Sequence, residues 1–155
     1  GVLAGGAGGY GCMAGGQHVD LEATGTAPDA GSRTRLNSMK TGALIRAAGQ
    51  LGARCGRALE TREAQALDRY SAAAGLAFQV VDDVLDVEGT DATLGKTAGK
   101  DAAQRKVTFV TLLGVAGARS HVQALRAEAR AALEPFGRAA ARLAELAAWI
   151  VLRTR

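Results

Sequence analysis

The stretch FQVVDDVLDV, from Phe78 to Val87, sets Asp82, Asp83 and Asp86 among valines, a leucine and a phenylalanine. An unpaired charge in an apolar setting costs too much to leave in a fold, so these carboxylates must meet a partner or a ligand. The valines would suit a strand, but a strand sends the adjacent Asp82 and Asp83 to opposite faces. On a helix, Gln79, Asp82, Asp83 and Asp86 fall at i, i+3, i+4 and i+7, a single stripe in otherwise apolar surroundings. The segment is expected to be a buried helix with one acidic seam.

The rest of the chain agrees with helix. It has 155 residues, enough for one domain, with aromatics at only 4% and 2 prolines. Alanine, leucine and arginine dominate, a mixture that favours helix over sheet. The net charge of +4 comes mostly from scattered arginines. No basic block with interleaved aromatics appears, so no nucleic-acid partner is expected. Cys12 and Cys55 have neither metal-ligand spacing nor the pattern of a secreted disulfide scaffold, and read as idle thiols in a reducing cytoplasm.

The opening GVLAGGAGGYGCMAGG is apolar but made mostly of glycine and alanine. It lacks a charged leader and is too weakly hydrophobic for a stable membrane anchor. Within it, GAGGYG (Gly6 to Gly11) matches the dinucleotide fingerprint, but no βαβ pattern surrounds it. Small residues that let helices approach closely are the better explanation. The chain starts at Gly1 in what reads as the middle of an element, so it is expected to be cut from something larger.

Breakers at Pro28, Asp29 and Gly31 mark a turn. Ser32 is expected to cap a helix reaching about Leu51, with Met39, Ala43, Leu44, Ala47, Ala48 and Leu51 on its apolar face. Thr61 is expected to cap a long helix from Arg62 to about Val87, followed by a loop from Gly89 to Lys100. Three further helices are expected over Lys106–Ala116, Ser120–Leu133 and Arg138–Leu152, the last two parted by Pro135 and Gly137. Leu143, Leu146, Ile150 and Val151 give the final helix its buried stripe.

A solvated acidic face fits the seam poorly, because the helix around it offers no other polar side. A calcium loop needs irregular backbone with a glycine turn. Magnesium suits it better, held by one or two carboxylates with phosphate oxygens and waters completing its octahedron. Lys96 and Lys100, in the glycine-rich loop that follows, then serve as point charges for the same phosphates. Carboxylates, metal and ammonium groups together point to a polyphosphate ligand.

FQVVDDVLD followed by LGKTAGKDAAQRKVTF closely resembles the second aspartate-rich motif and trailing lysines of the trans-polyprenyl diphosphate synthases. GCMAGGQHVDLEATG is similar to that family's Gly-Gln-x-x-Asp-Leu helix. SMKTGALIRAAGQLGA resembles its Lys-Thr-Gly helix, in the form common to bacterial farnesyl-type enzymes. AAWIVLRTR resembles the C-terminal helix and basic tail.

The resemblance implies an all-α fold, the C-terminal portion of the isoprenoid synthase helical bundle. It implies that residues 1–155 are the C-terminal half of a single polyprenyl synthetase domain. The implied activity is prenyl transfer: an allylic diphosphate ionises to a carbocation, isopentenyl diphosphate adds to it, and a proton is lost. Mg²⁺ and lysines stabilise the departing diphosphate.

By motif, Asp82 is implied as the direct metal ligand, with Asp83 and Asp86 acting through metal-bound water or orienting the shell. Lys40 and Lys96 are implied to hold the allylic diphosphate, with Lys106 a further candidate. The Lys40 or Thr41 carbonyl, the Thr41 hydroxyl and the Gln79 amide oxygen would face the cation. Gln17 and Asp20 would support Lys40 and the diphosphate site. Blander roles go to Lys100 as a solvated charge, His18 as a structural residue and Asp101 as a helix cap. Arg153 and Arg155 read as a frayed basic tail, although the family uses that tail near the isopentenyl diphosphate site. The family also implies a cytoplasmic homodimer for the full-length protein.

The family's first aspartate-rich motif has no counterpart in this sequence, so the chain alone is expected to be inactive. A non-catalytic subunit of a heteromeric synthase would erode the aspartates and lysines kept here. A class I terpene cyclase would carry an Asn/Ser/Glu-type set in place of DDVLD.

Overall fold

Alanines and valines at helical spacing between residues 61 and 93 build the element around which the others pack. The structure, a computed structural model, describes residues 42–93 and 108–153. Helix α1 spans Ala43–Arg54, α2 Thr61–Thr93, α3 Phe109–Ala132 and α4 Ala141–Leu152. A 3₁₀ segment, Glu134–Ala140, joins α3 to α4, and no strand occurs among the described residues. The 33 residues of α2 make it about 50 Å long. No helix among the described residues is long and apolar enough to cross a membrane. The expected turn at Pro28, the Ser32 cap, Met39, Cys12 and the Gly6–Gly11 motif lie outside the described residues.

One side of α2 is buried along Ala66, Tyr70, Ala73, Ala74, Ala77, Val80, Val81 and Val84. Its main neighbour is α3, which contributes Phe109, Ala118, Val122, Leu125 and Ala129 to the same core. From α4 come Ala147 and Ile150. Tyr70, whose hydroxyl is pushed up by burial and so stays a donor, bonds the Leu143 carbonyl at 2.8 Å.

Several boundaries differ from expectation. Thr61 does not cap α2 but is its first residue. The end is closed by Glu63, which accepts the Glu60 N–H at 3.0 Å and the Arg57 guanidinium at 2.8 Å. The arginine foremost, then the Glu60 N–H, holds the Glu63 carboxyl at about 2. That tie is complete above the ordinary carboxylate range and fades as pH falls through about 2. At its other end α2 runs past Gly89, where a loop was expected, to Thr93. A lone glycine weakens a helix by about 1 kcal/mol but does not stop it, and no proline follows.

The two helices expected over Lys106–Ala116 and Ser120–Leu133 meet within α3, and the break between them falls earlier than expected, at Gly114. Its φ of 70° and ψ of 166° are open only to glycine. The corner is sharp. Phe109 and His121 stack with ring centroids 5.8 Å apart, whereas a straight helix would separate such positions by about 18 Å along its axis. The break at Pro135 and Gly137 is where expected, with Pro135 in the first turn of the 3₁₀ segment and Gly137 at φ 52°. Within α4, Ile150 is buried and Leu143 and Val151 are partly covered, but Leu146 is 46% exposed, facing outward with Trp149 and Leu152. On α1, Ala47 is buried while Ala48, expected on the same face, is exposed.

The α1–α2 crossing depends on missing side chains. A Cβ on Gly75 would lie 3.2 Å from the Gly42 Cα and 3.4 Å from the Ile45 Cδ1. Gly75→Leu should therefore lower the free energy of urea unfolding by about 1–3 kcal/mol through overpacking. Gly52→Ala, on the open side of α1 with nothing within 4 Å, should raise it by about 0.5–1 kcal/mol. Equal midpoints for the two variants would contradict the contact.

Candidate functional site

The acidic seam lies on α2 as the helical spacing requires, but its members sit at different depths. Asp83 is 4% exposed, Gln79 and Asp82 are half-buried, and Asp86 is exposed. Asp83 answers its burial with neutral donors. Its Oδ1 accepts the Gln79 Nε2 at 3.0 Å, and its Oδ2 accepts the Phe109 backbone N–H at 2.8 Å. The second bond is to the first turn of α3, where unpaired N–H groups and the positive end of the helix dipole favour a carboxylate. Next to it, Thr108 and Thr111 close the same helix end with a reciprocal capping box. The Gln79 amide meets Asp83 through its amino end.

Asp82 meets a cation. Its Oδ1 pairs with the Arg153 guanidinium, which also donates to the Phe78 carbonyl at 3.0 Å. The same guanidinium lies 3.9 Å above the centre of the Phe78 ring. Arg153 is therefore no frayed tail: its side chain is only 11% exposed, against 37% for Asp82. Burial is the main reason the Asp82 carboxyl titrates above its usual value. Arg153 pulls it down, and Asp86 and Asp83 push it up again. The upward direction despite an ion pair shows that the cost of burying the carboxylate outweighs what one arginine returns.

Among the described residues, no set of three His, Cys, Asp or Glu side chains converges on one metal-binding point. Both oxygens of Asp83 are already in hydrogen bonds. Asp82 and Asp86, one helical turn apart, carry the other carboxylates of the seam, and the Arg153 pair is made through Asp82 Oδ1. That donor set fits Mg²⁺, which needs only one or two protein carboxylates when phosphates and waters supply the rest. Clefts of about 610 and 650 Å³ open elsewhere, beside Asp68 and beside Glu134, and no seam residue lines either.

Lys40, Thr41, Gln17, Asp20, Lys96 and Lys106 lie outside the described residues. Gly42, which follows Thr41 in the chain, is buried against Gly75, one turn before Gln79. Sequence reasoning missed the role of Arg153 and the Phe109 N–H. Arg153 carries no periodic signal after Trp-Ile-Val-Leu; the one clue was that three aspartates need counter-charges. A backbone donor leaves no trace in a sequence.

Residues 10–140 match the family model described as polyprenyl synthetase. The chain is 45% identical over 122 residues to farnesyl diphosphate synthase of Escherichia coli, covering 79% of this chain and 41% of that protein. Its fold resembles an FPP/GFPP synthase from Zymomonas mobilis, with a TM-score of 0.79, 38% identity, and coverage of 96% of this chain and 48% of the other. It also resembles a Helicobacter pylori geranyltransferase solved with magnesium and isoprenyl diphosphate. That TM-score is 0.72 at 29% identity, covering 96% of this chain and 50% of the other. The chain thus spans less than half of the Escherichia coli relative.

If Asp83 ties α2 to α3, Asp83→Ala should destabilise the protein by about 1–3 kcal/mol for each buried donor left unpaired. Asp86→Ala, at an exposed position, should stay within about 0.5 kcal/mol of wild type. Thermal unfolding and amide exchange check this. A Phe109 amide that exchanges no faster in Asp83→Ala would show that the bond contributes nothing.

Proposed function

The chain belongs to the polyprenyl synthetase family, and from that premise we propose that it forms part of a prenyltransferase joining isopentenyl diphosphate to an allylic diphosphate such as geranyl diphosphate. The observation that carries this reading is the face of α2 on which Asp82 and Asp86 offer carboxylate oxygens while Gln79 and Asp83 brace the helix behind them. In the reaction the allylic C–O bond breaks and diphosphate leaves. The double bond of isopentenyl diphosphate then attacks the allylic carbon, and loss of a proton yields a product one isoprene unit longer. Mg²⁺, when bound, supplies Lewis-acid stabilisation of the departing diphosphate.

The chain's own residues do the rest. Asp82 and Asp86 hold the cation, and Asp83 fixes their helix against α3. Lys40, Lys96 and Lys106 neutralise charge on the diphosphate, with Gln17 and Asp20 supporting them. The Gln79 and Thr41 oxygens turn partial negative charge toward the carbocation without being nucleophilic enough to trap it. The magnesium and isoprenyl diphosphate bound to the Helicobacter pylori relative support this ligand class. In this reading residues 1–155 are the C-terminal half of one polyprenyl synthetase domain, within a cytoplasmic homodimer. The 41% of the Escherichia coli relative that the chain spans supports the part-of-a-domain reading alone.

The test is a synthase assay with Mg²⁺, isopentenyl diphosphate and geranyl diphosphate. Residues 1–155 alone should form no longer prenyl diphosphate. A protein that also carries the rest of the domain should, and Asp82→Ala should lower its turnover by orders of magnitude. Removing Lys40 or Lys96 should weaken the allylic substrate by roughly ten- to a hundredfold, the scale of charge-assisted phosphate contacts of about 1.5–3 kcal/mol. Lys100→Ala should be nearly silent. Unchanged Mg²⁺-dependent turnover in Asp82→Ala would sink the assignment.

A further inference from the structure

Arg153 is a cation seated on the acidic seam through Asp82, and the way it is held bears on how the seam loads. It is the residue at which α4 stops. Its backbone is extended, with φ −62° and ψ 144°, while its N–H still closes the helix on the Trp149 carbonyl at 3.0 Å. One terminal nitrogen, Nη2, serves both Asp82 Oδ1 and the Phe78 carbonyl. The Nε is buried and meets no hydrogen-bond acceptor among the described residues. An orphaned buried donor is costly, so this guanidinium keeps its place through Asp82 and the Phe78 ring rather than through a full set of its own bonds. If Asp82 is drawn to another cation, the remaining ties are one carbonyl and one ring.

A divalent metal asks for the same carboxylate. Mg²⁺ takes its oxygens at about 2.0–2.1 Å, and a guanidinium on the same group is a like charge at short range that weakens the carboxylate as a donor. Asp86 and Asp83 are the other charged groups that act on Asp82, and both favour the metal. We propose that Arg153 is a resident counter-cation for Asp82, displaced when a divalent cation binds, so that loading the seam loosens the C-terminal end of α4. The inference rests on the reading of Asp82 as a metal ligand. Coupling between two sites is reciprocal: whatever the metal takes from the Arg153 contact, that contact takes from metal affinity.

The test titrates Mn²⁺ alone, reading free metal by electron paramagnetic resonance, into wild type, Arg153→Gln, Arg153→Lys and Asp82→Ala. Arg153→Gln removes the charge and should bind Mn²⁺ about five- to a hundredfold more tightly, the usual range of such coupling. Arg153→Lys keeps the charge and should stay near wild type. Hydrogen exchange on the unmodified protein gives a second readout that needs no variant to fold. Saturating Mn²⁺ should speed exchange of the Arg153 amide, which now bonds Trp149. Asp82→Ala separates the two claims. If it binds Mn²⁺ as wild type does, the metal assignment falls and the inference with it. If it loses binding while Arg153→Gln binds no more tightly and the Arg153 amide is unmoved by metal, the assignment stands and the counter-cation role is overturned.

Discussion

A carboxylate buried to 4% exposure has to be answered by donors, and the donors of Asp83 come from two different elements. Gln79 lies one turn back on the same helix, whereas the Phe109 N–H belongs to the first turn of α3. The bond across sets the rotation of α2 about its axis. With Asp83 turned inward, helical spacing leaves Asp82 half-covered and Asp86 outside, so the depth of each aspartate follows from one buried contact. The same bond marks where α3 begins, because it uses an N–H that no intrahelical acceptor reaches. An apolar residue of equal size could fill the space but would leave that N–H bare.

The seam therefore divides into a structural half and an exposed half. Asp83 is committed to Gln79 and to α3. Asp82 stands between them and the solvent, pushed up by burial and by its neighbours and only partly compensated by Arg153. That compensation spans 71 positions of sequence and joins the end of the last helix to the middle of the longest one. Tyr70 makes a parallel tie from α2 to α4 through the Leu143 carbonyl. Two polar contacts thus set how α4 lies along α2, while small residues such as Ala73, Ala77 and Ala147 allow the close approach.

Much of this was legible in the sequence, for identifiable reasons. The aspartate spacing required a helix, and the apolar residues around it required that helix to be buried; both follow from the geometry of one segment. Pro135 and Gly137 marked a break that proline's missing donor makes hard to avoid. Other features depend on what lies across the core. Gly89 and Gly114 look alike as letters, yet α2 runs through the first while α3 turns at the second, where Phe109 folds back on His121. Leu146 shares its type and spacing with Leu143 but faces outward. Arg153 reads as tail chemistry until the fold brings Asp82 to it. Of the site itself, the order and direction of the aspartates could be read; their unequal depth could not, because it is set by a backbone N–H.

The corner at Gly114 has a consequence for how this sequence can drift. Among the described residues, a side chain at this position would meet nothing within 4 Å. Its dihedrals nevertheless exclude every residue with a Cβ. A relative with any other residue at the aligned position must either straighten the helix, and so carry the Phe109 turn away from Asp83, or place the corner elsewhere. Glycine here is a fingerprint of backbone shape rather than of chemistry, by which bent and straight forms of this helix can be sorted from sequences alone.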